Sequence, residues 1–118
     1  MFDKKNYNLE ELPDFVSILK KDLNLSKVAL GWISLPAGKG YTFLHSHKEQ
    51  EEVYIILQGS GLMQIDEEEV SLNPGDIIRV SPEAKRALKA GDEKLIALCC
   101  GGVTKGYPNK RRQLHADR

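Results

Sequence analysis

His45 and His47, spaced i and i+2 and followed by Glu52, are the residues of this chain best suited to do chemistry. In an extended segment such a histidine pair points to one face of a sheet. Each neutral imidazole offers one nitrogen lone pair, and the carboxylate adds a harder, anionic oxygen. Two His and one carboxylate with open positions form the set used by non-haem Fe(II) sites, and a similar set serves catalytic zinc. The expected cofactor is therefore a divalent metal ion (Fe, Mn, Zn or Ni) held by His45, His47 and Glu52. Glu51 is the rival carboxylate, but Glu52 shares a strand face with Tyr54 and Ile56.

The elements that must position these groups read as short strands. Residues 28–35 are apolar with Gly31 inside them, and Pro36-Ala37-Gly38-Lys39-Gly40 breaks the run. Tyr41, Phe43, His45 and His47 share one face, so aromatic rings would line the same cavity as the ligands. Residues 52–58 and 62–65 flank Gly59-Ser60-Gly61, and that pattern predicts a hairpin. A charged tip at 66–69 follows, then a return through 70–72 to Pro74-Gly75. Residues 76–80 and 95–100 complete the set, with Ala90-Gly91-Asp92 as a further turn. Many short strands separated by Gly and Pro predict an all-β sandwich or barrel.

The ends differ in character. Apolar positions 9, 12, 15, 16 and 19 fit one side of a short helix, which Pro13 permits only in its first turn. Residues 1–25 are therefore expected to form a short N-terminal helix from about Pro13, or an irregular arm over the barrel. The barrel itself is expected over residues 26–104. Residues 105–118 hold five basic residues against one acid, the composition of a solvated tail.

A glycine, then His-x-His, Glu and Gly at fixed spacing resembles the first motif of the cupin family. Here it reads Gly40, His45, His47, Glu52 and Gly59, with six residues between Glu52 and Gly59 and four between Gly40 and His45, where five are usual. The second motif is similar too: Asn73-Pro74-Gly75-Asp76, then residues 77–81, then Pro82. The resemblance implies a double-stranded β-helix, the jelly-roll barrel, over most of the chain. It also implies the metal set above and a last histidine ligand four residues beyond the proline.

That place is occupied by Arg86. A guanidinium has five donors and no acceptor, and it keeps its proton in proteins, so it cannot ligate a cation. A single positive charge about 5 Å from a dication costs roughly 7 kcal/mol at an effective dielectric near 20. The metal is then expected only if Arg86 swings away or an anion lies between the two. The other arrangement is a relic site, with Arg86 paired to Glu52 inside the barrel.

The resemblance leaves three functions open. One is a metal-dependent enzyme of dioxygenase, isomerase or lyase type, with Arg86, Tyr41, Phe43 and Tyr54 binding the substrate and Arg86 clamping its carboxylate or phosphate. The second is a module that binds or senses a small anionic metabolite. The third is a metal-free dimeric scaffold. A homodimer is expected in each case.

Composition excludes other classes. The 118 residues suffice for one core, with 41% hydrophobic and 29% charged residues. A formal net charge of zero gives no reason to expect nucleic acid or an anionic membrane as partner. No apolar stretch approaches the roughly 20 residues of a membrane helix. The first residues lack a signal peptide's apolar core, so a cytoplasmic setting is expected. Cys99 and Cys100 are adjacent and should point to opposite strand faces. No Gly-x-Ser-x-Gly elbow or phosphate loop supplies a different chemistry.

Overall fold

The computed structural model describes residues 1–41 and 50–102; Phe43, His45, His47 and the tail at 105–118 lie outside the described residues. A 3-10 turn (Leu9–Glu11) is followed by β1 (Phe15–Ile18), α1 (Lys20–Leu23), β2 (Val28–Leu35), β3 (Glu52–Gln58), β4 (Gly61–Ile65), β5 (Glu68–Leu72), β6 (Ile77–Val80), β7 (Arg86–Ala90) and β8 (Leu95–Gly102). These strands pair antiparallel in two sheets, a five-stranded β1-β2-β8-β3-β6 and a three-stranded β5-β4-β7. The two sheets face each other as the jelly roll that the resemblance implies.

Alternation of side chains decides what lies between the sheets. On β3, Glu52, Tyr54 and Ile56 are buried while Val53 and Ile55 are only half-buried. On β7, Arg86, Leu88 and Ala90 are buried and Lys89 is exposed. Ile33, Leu35, Ile56, Met63, Leu88 and Leu95 belong to one apolar cluster with Tyr54 and Cys99. Register places the strands' other end beside Glu52, opposite Gly101 of β8 and Val80 of β6. The space between the sheets is thus apolar at one end and carries charge at the other. Cys99 is buried and Cys100 half-buried, as opposite strand faces predict, and neither forms a disulfide.

Three expectations need correction. Residues 52–58 and 61–65 do not form a hairpin: β3 pairs with β6 and β8, whereas β4 pairs with β5 and β7. The chain at 59–61 instead crosses from one sheet to the other. Glycine serves there because the backbones nearly touch: a Cβ on Gly59 would lie 2.0 Å from the Lys94 carbonyl oxygen, and one on Gly61 would lie 2.1 Å from that of Lys89. The hairpin lies further on, between β4 and β5, where Asp66 takes a left-handed φ of 53°.

Of the two alternatives for residues 1–25, a short helix from Pro13 or an irregular arm, the helix from Pro13 is absent. Residues 15–18 instead form an edge strand on β2, with Val16 opposite Ile33 and Ile18 opposite Gly31. A free ladder edge outweighs the weak helical spacing, and Pro13 and the β-branched Val16 and Ile18 favour the strand. The arm itself crosses near β2 and β3: Tyr7 meets Trp32 edge-on at 5.8 Å, and Gln58 Nε2 donates to Glu10 at 3.2 Å. Finally, β7 is a strand that the sequence reading did not place, and it carries Arg86. Among the described residues no helix is long and apolar enough to cross a membrane.

Two glycines separate strain from crowding. Gly59 and Gly75 both have positive φ, 78° and 95°, but nothing lies within 4 Å of a Cβ at Gly75. Gly75→Ala should therefore cost only left-handed strain, roughly 1–2 kcal/mol. Gly59→Ala adds a backbone collision and should cost about 3 kcal/mol or more. Urea midpoints of the two variants check this, and equal losses would remove the role given to the crossing.

Candidate functional site

Glu52 and Arg86 come from opposite sheets and meet between them. Glu52 opens β3, an inner strand of the five-stranded sheet between β8 and β6, in register with Val80 and Gly101. Arg86 opens β7, opposite Ile65 of β4. Its position is fixed by Asp66, whose Oδ1 accepts from the Lys85 amide at 3.0 Å and whose own amide donates to the Lys85 carbonyl at 2.7 Å. The hairpin residue thus pins the residue next to the arginine.

Both side chains are fully buried, and Arg86 Nη1 lies 3.5 Å from Glu52 Oε1. Arg86 Nη2 donates to the Ser81 carbonyl at 2.6 Å. The Tyr54 hydroxyl, two residues along β3, donates to the same Glu52 Oε1. At 3.5 Å the guanidinium contact is an ion pair rather than a short hydrogen bond. Burial makes it consequential: each charge alone would carry a desolvation penalty of several kcal/mol, which mutual attraction offsets.

Of the substrate-binding expectations, the structure brings Tyr54 and Arg86 together with Glu52. Tyr41 is half-buried; its amide donates to the Leu88 carbonyl at 3.1 Å, and its ring stands 6.1 Å from that of Phe15. Phe15 holds that place at a φ of 70°, a strained value for a bulky residue. Glu51 is not the inward carboxylate, because it is exposed and pairs with Arg79 at 3.0 Å on the surface.

Gln50 was missed by the sequence reading. It is 5% exposed, and its carboxamide packs over Gly101, where a Cβ would stand 2.6 Å from Oε1. Alternation was the available signal, since position 50 shares parity with Glu52. Nothing in the residue type marked it as chemical.

A divalent ion on His45, His47 and Glu52 would have to share the carboxylate with Arg86. Among the described residues no group of three or more His, Cys, Asp or Glu could hold a metal ion. The donor types suit such an ion. The adjacent guanidinium opposes it, so the set fits a cation only when something else balances Arg86.

Comparison with known proteins supports the same architecture. The cupin domain model matches residues 31–101. An uncharacterized protein of Methanocaldococcus jannaschii is 37% identical over 75 residues, 63% of this chain and 59% of its own length, so the match spans under two thirds of that relative. The crystal structure of a cupin protein from Bacteroides fragilis is 31% identical with a TM-score of 0.77, covering 99% of this chain and 94% of that one. A structure from Acidithiobacillus ferrooxidans, described as a candidate sugar phosphate isomerase, is 25% identical with a TM-score of 0.66, covering 74% of this chain and 57% of that one.

The ion pair generates a stability test. Arg86→Met strands a buried carboxylate and should cost roughly 3–5 kcal/mol. Glu52→Gln strands a buried cation and should cost a similar amount, whereas the double variant should lose clearly less than the sum. Urea unfolding of the four proteins reads the coupling. Strict additivity would show that the two side chains do not interact.

Proposed function

The chain belongs to the cupin domain family, and from that premise we propose that its barrel holds a small anionic metabolite jointly with a divalent cation. The observation that carries this reading is the fully buried Arg86–Glu52 pair between the sheets. A cation on His45, His47 and Glu52 would draw Glu52 away from Arg86 and leave a buried guanidinium without its counter-charge. An anionic ligand on Arg86 supplies that counter-charge, and guanidinium–carboxylate or guanidinium–phosphate contacts can be bidentate. The cation, when bound, would act as a Lewis acid toward ligand oxygens. Tyr41, Phe43 and Tyr54 would provide the aromatic wall.

The A. ferrooxidans protein's description puts sugar phosphates among the first compounds to try, beside small dicarboxylates and keto acids. Turnover of a bound compound would make the protein an enzyme, and linked binding without turnover would make it a sensing module. The same proposal includes a homodimer in the cytoplasm, and sedimentation of the purified chain checks the dimer.

Calorimetry on chelator-treated protein, with Mn(II), Zn(II) or Fe(II) and each anion alone and together, tests the joint reading. Metal and anion should each tighten the other by one common factor, about tenfold or more, as reciprocity demands. Independent binding would remove the joint reading, and binding of neither would leave the metal-free scaffold as the surviving function. Arg86→His removes the opposing charge and adds a lone pair, so metal affinity without anion should rise by roughly 100-fold or more. A change within threefold would place Arg86 outside the site.

A further inference from the structure

Two buried polar atoms, one two residues before Glu52 and one on its ion-pair partner Arg86, lack hydrogen-bond partners among the described residues. The Gln50 carboxamide oxygen has no donor among the described residues, and the residue is 5% exposed. Its amide lies over Gly101, which is the register partner of Glu52, so it sits on the inner face of the five-stranded sheet beside that carboxylate. From the other sheet, Arg86 Nε is buried with no acceptor among the described residues, while Nη1 and Nη2 are engaged by Glu52 and the Ser81 carbonyl.

Packing does not require this amide. A small apolar residue at 50 with a side chain at 101 would fill the same space without burying an unsatisfied oxygen, which costs free energy. The glycine at 101 instead leaves room for the amide, since a Cβ there would approach Oε1 to 2.6 Å and Cδ to 3.1 Å. An acceptor lacking a donor thus sits two residues before Glu52, and a donor lacking an acceptor sits on the ion-pair partner of Glu52.

We infer that Gln50 reads the ligand, and that the ligand is a small hydroxy acid. Its hydroxyl donates to Gln50 Oε1, and its carboxylate accepts from Arg86 Nε. This rests on the anion-binding reading above and narrows it: acids with a carboxylate but no hydroxyl satisfy Arg86 and leave Gln50 unsatisfied. Sites built around a hydroxyl reject analogues that lack one more strongly than apolar pockets reject a missing methylene.

The test uses the full chain loaded with Mn(II) and two matched pairs of probes, malate (both enantiomers) against succinate and glycolate against acetate. Calorimetry should show the hydroxy member of at least one pair bound roughly tenfold or more tightly. In Gln50→Leu that preference should fall below threefold while the melting temperature holds or rises, because a buried unsatisfied acceptor has gone. Gly101→Ala, which keeps Gln50 but displaces its amide, should weaken the preference as well. Equal binding within both pairs, or a preference that survives Gln50→Leu, overturns the role of Gln50 and leaves the anion reading standing. Failure of all four acids to bind the unaltered protein overturns the hydroxy-acid inference, and the anion reading falls with it only if sugar phosphates and keto acids fail to bind as well.

Discussion

The ion pair between Glu52 and Arg86 is the constraint on which the charged end of this barrel depends. The apolar end, with Leu35, Ile56 and Leu95, holds the sheets together through burial alone. At the other end a fully buried carboxylate and a fully buried guanidinium are tolerable only because each faces the other. The pair therefore also fixes register. Sliding β7 by one residue would turn Arg86 outward and Ala87 inward, leaving Glu52 uncompensated. Asp66, at the β4–β5 turn, guards against that slip by holding Lys85 through both backbone groups.

Strands that alternate apolar and polar residues were legible in the sequence. Residues 28–35 and 52–58 coincide with β2 and β3, and 95–100 falls two residues short of the end of β8. Topology was less legible at Gly59-Ser60-Gly61, because glycines serve a tight turn and a close crossing equally well. Only the contacts with Lys94 and Lys89, distant in sequence, distinguish the two. β7 escaped notice because its first inward residue is charged, and Arg86-Ala87-Leu88-Lys89-Ala90 carries a weak alternation. The helical spacing of residues 9–19 misled for the opposite reason: Leu12 and Leu19 are buried, but by an edge strand and its flanks rather than by one helix face.

Parity along one strand orders the site more than residue type does. Gln50, Glu51 and Glu52 are consecutive and polar, yet Glu51 pairs with Arg79 on the surface while its neighbours turn inward. Motif spacing was enough to select Glu52. Counting from Pro82 was enough to select Arg86 as the residue facing it. Parity with Glu52 was the one local signal for Gln50, whereas its packing over Gly101, the register partner of Glu52, is a relation between β8 and the chain before β3 that no local pattern encodes.

An arginine at the end of the second motif changes the order in which charge can enter the cavity. With a neutral histidine there, a cation would meet one carboxylate and could be held without any ligand. With Arg86 the polar end begins as a neutral pair. A cation alone would take Glu52 and strand the guanidinium, and an anion alone would take Arg86 and strand the carboxylate. In a buried, low-dielectric space both half-filled states would be penalised, whereas the empty state is neutral and a state filled by a dication and a dianion would be neutral too. For the cation and anion proposed above, linkage would thus follow from charge balance, before any direct contact between them is considered. Tyr54 would sharpen it, because its hydroxyl donates to Glu52 Oε1 and would hold the carboxylate in place if its ionic partner were exchanged.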